Sequence, residues 1–179
     1  MIPTPTPPAA PRYVVALDPG TRHAGIAIAM ADVSGAPGHI VGAVDLRTNR
    51  ADVAAMVDEV ALALAETDPA AHVLVSEWPR KYRTSKAAWA DLDGLREVVR
   101  RVEAWGWART VRVAPGTWKG QVPKHIHHAR VAAALGADAI RLGWAGLGPD
   151  ARDAVALARW ALGPGRARVF PPTPTPEVT

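Results

Sequence analysis

The chain contains no cysteine, which excludes a disulfide framework and any thiolate-bound metal. Phenylalanine occurs once and tyrosine twice, so seven tryptophans carry most of the aromatic surface. No apolar run approaches the roughly 18 residues of a membrane-spanning helix. The opening stretch, "MIPTPTPPAAP", has neither the basic start nor the apolar centre of a secretory signal. A cytoplasmic protein with no membrane partner is therefore expected. No Gly-x-x-x-x-Gly-Lys-Ser/Thr loop is present, so nothing points to a nucleotide cofactor.

What is present fits one domain. A chain of 179 residues with 49% hydrophobic side chains can bury a proper core. Both ends are rich in Pro and Thr, "IPTPTPPAAP" and "PPTPTPEVT", a composition that favours extended polyproline II and builds no core. Residues 1–11 and 164–179 are expected as tails on a domain spanning 12–163. Charge is distributed unevenly. Residues 1–75 carry 4 basic and 8 acidic side chains, whereas residues 76–130 carry 12 basic and 5 acidic ones with three histidines. A basic central third implies a face for a polyanion.

Local patterns give an element order. "RYVVAL" reads as a fully buried strand, and after an Asp-Pro-Gly turn "HAGIAIAMA" and "HIVGAVDL" read as two more. Val53, Met56, Val57, Val60 and Leu64 recur at helical spacing. "HVLVSE" is a fourth strand. Trp89, Leu92, Leu95, Val99 and Val102 mark a long helix whose apolar stripe is expected to place Trp89 and Trp105 in the core. "ARTVRVAP" is a fifth strand, and helices follow over about 123–135 and from Pro149 to about Leu162. The order β-β-β-α-β-α-β-α-α predicts an α/β fold with a mixed five-stranded sheet and helices on its faces, the ribonuclease H-like arrangement.

Four acids stand out against this background. Asp18 ends the first strand and Glu77 the fourth, each after a purely apolar run, while Asp150 and Asp153 share one helical face. Any one of them has an ordinary explanation: a turn residue, a strand end, or acids favoured in a first helical turn. Together, if the fold carries them to one end of the sheet, they would form an oxygen cage suited to two divalent cations and phosphoryl chemistry. His125, His127 and His128 lack cysteine partners, so zinc is disfavoured and a place along the basic face preferred. Trp78 and Trp118 flank the acids and the nearby lysines, where packing or stacking on a base are both open.

At these residues the sequence resembles the RuvC family of Holliday junction resolvases. "ALDPGTRHAGIAIA" is similar to the family's opening strand, "VSEWP" to the segment with its glutamate, and "DARDAVALA" to the Asp-Ala-x-Asp-Ala helix that closes its site. "TWKGQVPKHIHHARVAAALG" resembles the stretch holding two DNA-binding lysines, here Lys119 and Lys124. The resemblance covers about residues 12–162. It implies a structure-selective endonuclease of a bacterial or phage-infected cell that nicks four-way junctions symmetrically as a homodimer. Asp18, Glu77, Asp150 and Asp153 would hold two Mg2+ or Mn2+ ions, with Lys119 beside the scissile phosphate. Lys124, Arg80, Lys81, Arg83, Lys86 and His128 would grip DNA. The dimer surface would involve the Trp89–Trp105 helix, and Trp78 or Tyr82 would take the place of the aromatic that wedges into the junction centre. The loop between the two lysines is shorter than in the cellular enzymes. Two other readings stand beside this one: a nuclease of the same fold acting on RNA–DNA hybrids, flaps or forks, and a non-catalytic junction-binding module. "DPGTRHAGIAIA" also resembles the phosphate loop of actin-like ATPases, but a second lobe to close over the nucleotide has no room here.

Overall fold

Strand β1 (Tyr13–Asp18) sits at the centre of the sheet, and its valines and alanine at 14–16 are wholly buried. A strand covered on both faces reads as a continuous apolar run rather than an alternating one. The computed structural model describes residues 13–31, 38–80 and 89–170. Around β1 lie β2 (His23–Met30), β3 (His39–Arg47), β4 (His72–Glu77) and β5 (Arg109–Val113), in the order β3-β2-β1-β4-β5. The first three strands form an antiparallel meander, and β4 and β5 join parallel beside β1. The expected mixed five-stranded sheet is therefore present.

Helices cover both faces. On one, α1 (Val53–Ala63) and α2 (Trp89–Glu103) bury Met56, Val60, Leu92, Val98, Val99 and Val102 against Val15, Leu17, Ile26 and Leu74. Helix α1 starts where Asp52 accepts backbone N–H groups from Ala54 and Ala55 at 2.9 and 3.1 Å, a regular N-cap. The other face is covered by α6 (Pro149–Leu162), whose alanines and Leu157 pack on Val14, Ala16, Ala27 and Val75. Three short helices, α3 (Pro115–Trp118), α5 (Ala137–Arg141) and α7 (Arg166–Val169), and the longer α4 (Lys124–Leu135) complete this layer. Among the described residues no helix is long and apolar enough to cross a membrane.

Two expectations need correction. The C-terminal tail does not begin at residue 164, because α7 folds back and buries Val169 in the α6 face of the core; the Arg109 guanidinium ties it down by donating to the Arg168 carbonyl at 2.9 Å. Trp89 is not core. It opens α2 with 58% of its surface exposed, since the buried stripe drifts from Leu92 to Val98 and Val99 rather than extending back to residue 89. Trp105 does pack against the core, stacked on Trp107. The expected N-terminal tail and the remainder of the C-terminal one, residues 171–179, lie outside the described residues.

Candidate active site

Strand register brings the first two acids together. In the sheet Leu17 lies beside Ser76, so the next residues, Asp18 and Glu77, end neighbouring parallel strands on the face that α6 covers. Opposite Asp18 on β2 is Gly25. That position must be glycine: a Cβ there would overlap the Asp150 carbonyl and stand 2.5 Å from the Ala151 nitrogen. The gap lets the first turn of α6 descend onto the sheet, which delivers Asp150 and Asp153 to the same end. Asp153 is 2% exposed and Asp18 8%, while Asp150 stays half-exposed.

The lysines come from the turn that follows β5. Lys119 closes α3 and Lys124 opens α4, so both ammonium groups reach back over the acids. Lys119 Nζ lies 3.0 Å from Glu77 Oε2 and 3.5 Å from Asp153 Oδ2. Lys124 Nζ lies 3.0 Å from Asp153 Oδ2 and 3.6 Å from Asp150 Oδ1. Lys119 also sits over the buried Trp118 ring, 4.7 Å from its centroid, so Trp118 packs under the site rather than awaiting a base. One turn beyond Lys124, His128 places Nε2 2.7 Å from Asp153 Oδ1.

Electrostatics divide these acids. Burial, followed by repulsion from Glu77 and Asp153, raises the Asp18 carboxyl well above the usual range. Burial also raises Glu77, although Lys119 opposes it. Burial pushes Asp153 the same way, but Lys119, His128 and Lys124 outweigh it and hold its carboxyl low. Burial would lower both lysines, yet the acids hold them above their ordinary value, Glu77 most for Lys119 and Asp153 most for Lys124. Among the described residues no three carboxylates or histidines close around one point; the two ammonium groups stand between the acids. The donor set fits a hard divalent cation all the same, because four carboxylates crowd one sheet end and two of them have their charged forms disfavoured by burial and mutual repulsion.

The other expected residues fall differently. His128 does not line an open DNA face; it is buried under Asp153, where it orients that carboxylate. Trp78, one of the two candidate wedge aromatics, is partly buried against the core with the Arg112 guanidinium 4.1 Å from its ring centroid and Arg96 and Arg100 on the same ring. Arg80 is exposed beside the site strand, and Lys81, Tyr82, Arg83 and Lys86 lie outside the described residues. Much of the central basic charge is neutralised within the chain. Arg96 pairs with Asp93, Arg100 and Arg101 with Glu97, and Arg112 with Glu103. His127, also buried, makes an edge-on contact with Trp118.

A 3-2-1-4-5 mixed sheet with acids gathered at the ends of its two central parallel strands defines a ribonuclease H-like fold. Within that class, the chain has the fold of the RuvC-like Holliday junction resolvases. Thermus thermophilus RuvC in complex with a Holliday junction substrate superposes with a TM-score of 0.61 at 19% identity, covering 88% of this chain and 96% of that one. The fowlpox virus resolvase with its substrate Holliday junction DNA gives 0.54 at 12% identity, over 87% and 97%. The yeast mitochondrial Holliday junction resolvase Ydc2 gives 0.51 at 13%, over 92% and 87%. No protein-family model and no curated protein matches the sequence.

Proposed function

We propose that this protein is a divalent-metal-dependent endonuclease that resolves four-way DNA junctions by paired symmetric nicks. The observation that carries the reading is the convergence of Asp18, Glu77, Asp150 and Asp153 from three separate segments, with Lys119 and Lys124 among them. The solved structures of this fold in complex with Holliday junctions support branched DNA as the substrate class. Asp18, Glu77, Asp150 and Asp153 would hold two Mg2+ or Mn2+ ions, which when bound supply water activation and stabilisation of the leaving oxygen. Lys119 places positive charge where the phosphate acquires negative charge. Lys124 holds a neighbouring phosphate, and His128 keeps Asp153 turned into the site. A cleft of about 240 Å³ lined by His23, Arg47 and Asp150 adjoins the carboxylates and gives the scissile strand a path with Arg47 as a phosphate partner. Arg80, exposed beyond the end of β4, would add a phosphate contact, and Lys81, Arg83 and Lys86 follow it in sequence. Symmetric nicking requires two sites, so the acting form is a homodimer, with the exposed Trp89 end of α2 in its interface.

The test is a cleavage panel with Mg2+ and with Mn2+: a labelled four-way junction beside linear duplex, flap, fork and RNA–DNA hybrid. The account expects paired nicks on the junction and affinity that falls steeply with salt as phosphate contacts are screened. Hybrid or flap cutting at a comparable rate would move the function to another substrate. Tight junction binding with no product in either metal would leave a binding module.

A further inference from the structure

The row of the sheet that carries Asp18 holds another acid. Asp18 lies opposite Gly25, and Gly25 opposite Asp45 on β3, so residues 18, 25 and 45 share one face with the glycine between the acids. The first turn of α6 occupies that gap. Its N-cap is Gly148, which has no side chain with which to cap, and Pro149 at the first helical position has no N–H. Asp45, 103 residues away in sequence, supplies what is missing. Its Oδ2 accepts the Gly148 N–H, and its Oδ1 accepts the Ala151 N–H at 3.1 Å. One carboxylate thus performs both halves of a capping box, in which a cap side chain binds the third helical N–H and a second acid binds the N-cap N–H. The glycine at 148 follows from this arrangement. Its φ of −69° demands no glycine, but a Cβ there would stand 2.5 Å from Asp45 Oδ1, so a serine or aspartate cap would collide with the acid that replaces it.

We infer that Asp45 is a positioning residue for the carboxylate cluster: an N-cap supplied from β3 that fixes the first turn of α6, and with it Asp150 and Asp153, against the sheet. The inference rests on the proposed metal-binding role of those two acids. Asp45 reaches no reacting atom in this scheme. It acts through the backbone of the residues on either side of Asp150, and Gly25 sets how close that backbone comes.

The experiment compares wild type, Asp45→Ala and Asp45→Asn in the full chain by Mn2+ titration calorimetry, with Met56→Ala as a control. Met56 is buried on the opposite face of the sheet, so its loss lowers stability without touching α6. Asparagine offers one acceptor oxygen where aspartate offers two, so it can hold only one of the Gly148 and Ala151 N–H groups and turns an NH2 donor toward the other. The expected result is a rise of about tenfold in the Mn2+ Kd for Asp45→Ala, the scale seen when a supporting partner of a metal ligand is removed. Asp45→Asn, which keeps one of the two bonds, should fall between wild type and Asp45→Ala with a loss of about threefold, and Met56→Ala should bind Mn2+ as wild type does. An Asp45→Ala affinity within twofold of wild type, or equal losses in the Ala and Asn variants, would overturn the inference. Should Asp45→Ala fail to fold, Asp45→Asn decides: a loss of about threefold supports the cap, and either wild-type affinity or a tenfold loss overturns the inference. The functional reading fails separately. A wild type that binds Mn2+ but cuts no junction loses the nuclease assignment and leaves the Asp45 comparison intact; one that binds no Mn2+ removes both.

Discussion

Replacing Gly25 with alanine would place a methyl group where α6 meets the sheet, overlapping the Asp150 carbonyl and 2.5 Å from the Ala151 nitrogen. Ordinary contact begins at 3.4 Å and the Asp150 oxygen would stand at 2.0 Å, so the helix must retreat by roughly 1.4 Å, and backbone cannot rotate aside as a flexible side chain does. The glycine lies outside the left-handed region, so alanine gains about 0.4–1 kcal/mol from a stiffer unfolded chain. Overpacking of this kind costs about 1–3 kcal/mol. The net expectation is a loss of about 1–2 kcal/mol, read as a fall of roughly 0.5–1 M in the urea midpoint at unchanged slope. Because the retreat carries Asp150 and Asp153 with it, Mn2+ affinity should fall in parallel. Gly42→Ala on β3 is the internal control: nothing lies within 4 Å of its added methyl, and it should be neutral or mildly stabilising. A Gly25→Ala protein as stable as wild type with unaltered Mn2+ affinity would refute the claim that this close approach sets the site.

Further outcomes follow from the same contacts. His128→Ala removes the 2.7 Å bond to a buried carboxylate and should cost about 1.5–3 kcal/mol in urea unfolding, with His128→Gln recovering part of it; a change below about 0.5 kcal/mol would mean the histidine does not hold Asp153. Asp18 and Glu77 bind their protons more tightly folded than unfolded. Without divalent cations, stability should therefore decline as pH rises from the ordinary carboxylate range near 3.8–4.5 toward their raised values. Asp153 contributes the opposite way: its stabilisation is present above 3.8 and is lost as pH falls through its depressed value. Urea midpoints measured from pH 4 upward should show the decline, and Asp18→Asn should flatten most of it; an unchanged slope in that variant would contradict the assignment.

The parts legible from sequence were those written in local pattern. Asp18 and Glu77 stand out because each interrupts a buried apolar strand, and Asp150 and Asp153 because helical spacing puts them on one face. Lys119 and Lys124 were reached through resemblance, and their ion pairs with three of the acids depend on the tight α3–α4 turn. What sequence hides is partnership across distance. Nothing near His128 marks it as the support of Asp153, since the pairing depends on how α4 crosses α6. Asp45 looks like one more polar residue on an edge strand until β3 register sets it beside Gly25 and the start of α6. The arginine-rich centre overstated the free positive face, because Glu97 and Glu103 neutralise arginines that composition counts as available. Helix α7 was concealed by Gly and Pro on both sides; its single buried valine leaves no periodicity to detect.

The most direct measurement sets wild type against Asp18→Asn on a synthetic four-way junction, recording junction affinity without metal and strand cleavage with Mg2+ or Mn2+. The account predicts paired nicks by wild type, and for Asp18→Asn a loss of cleavage of several orders of magnitude with metal-free binding at least as tight, since one repelling acid is gone. Cleavage by Asp18→Asn at a rate near wild type would contradict it and return Asp18 to the role of a turn residue at the end of a buried strand.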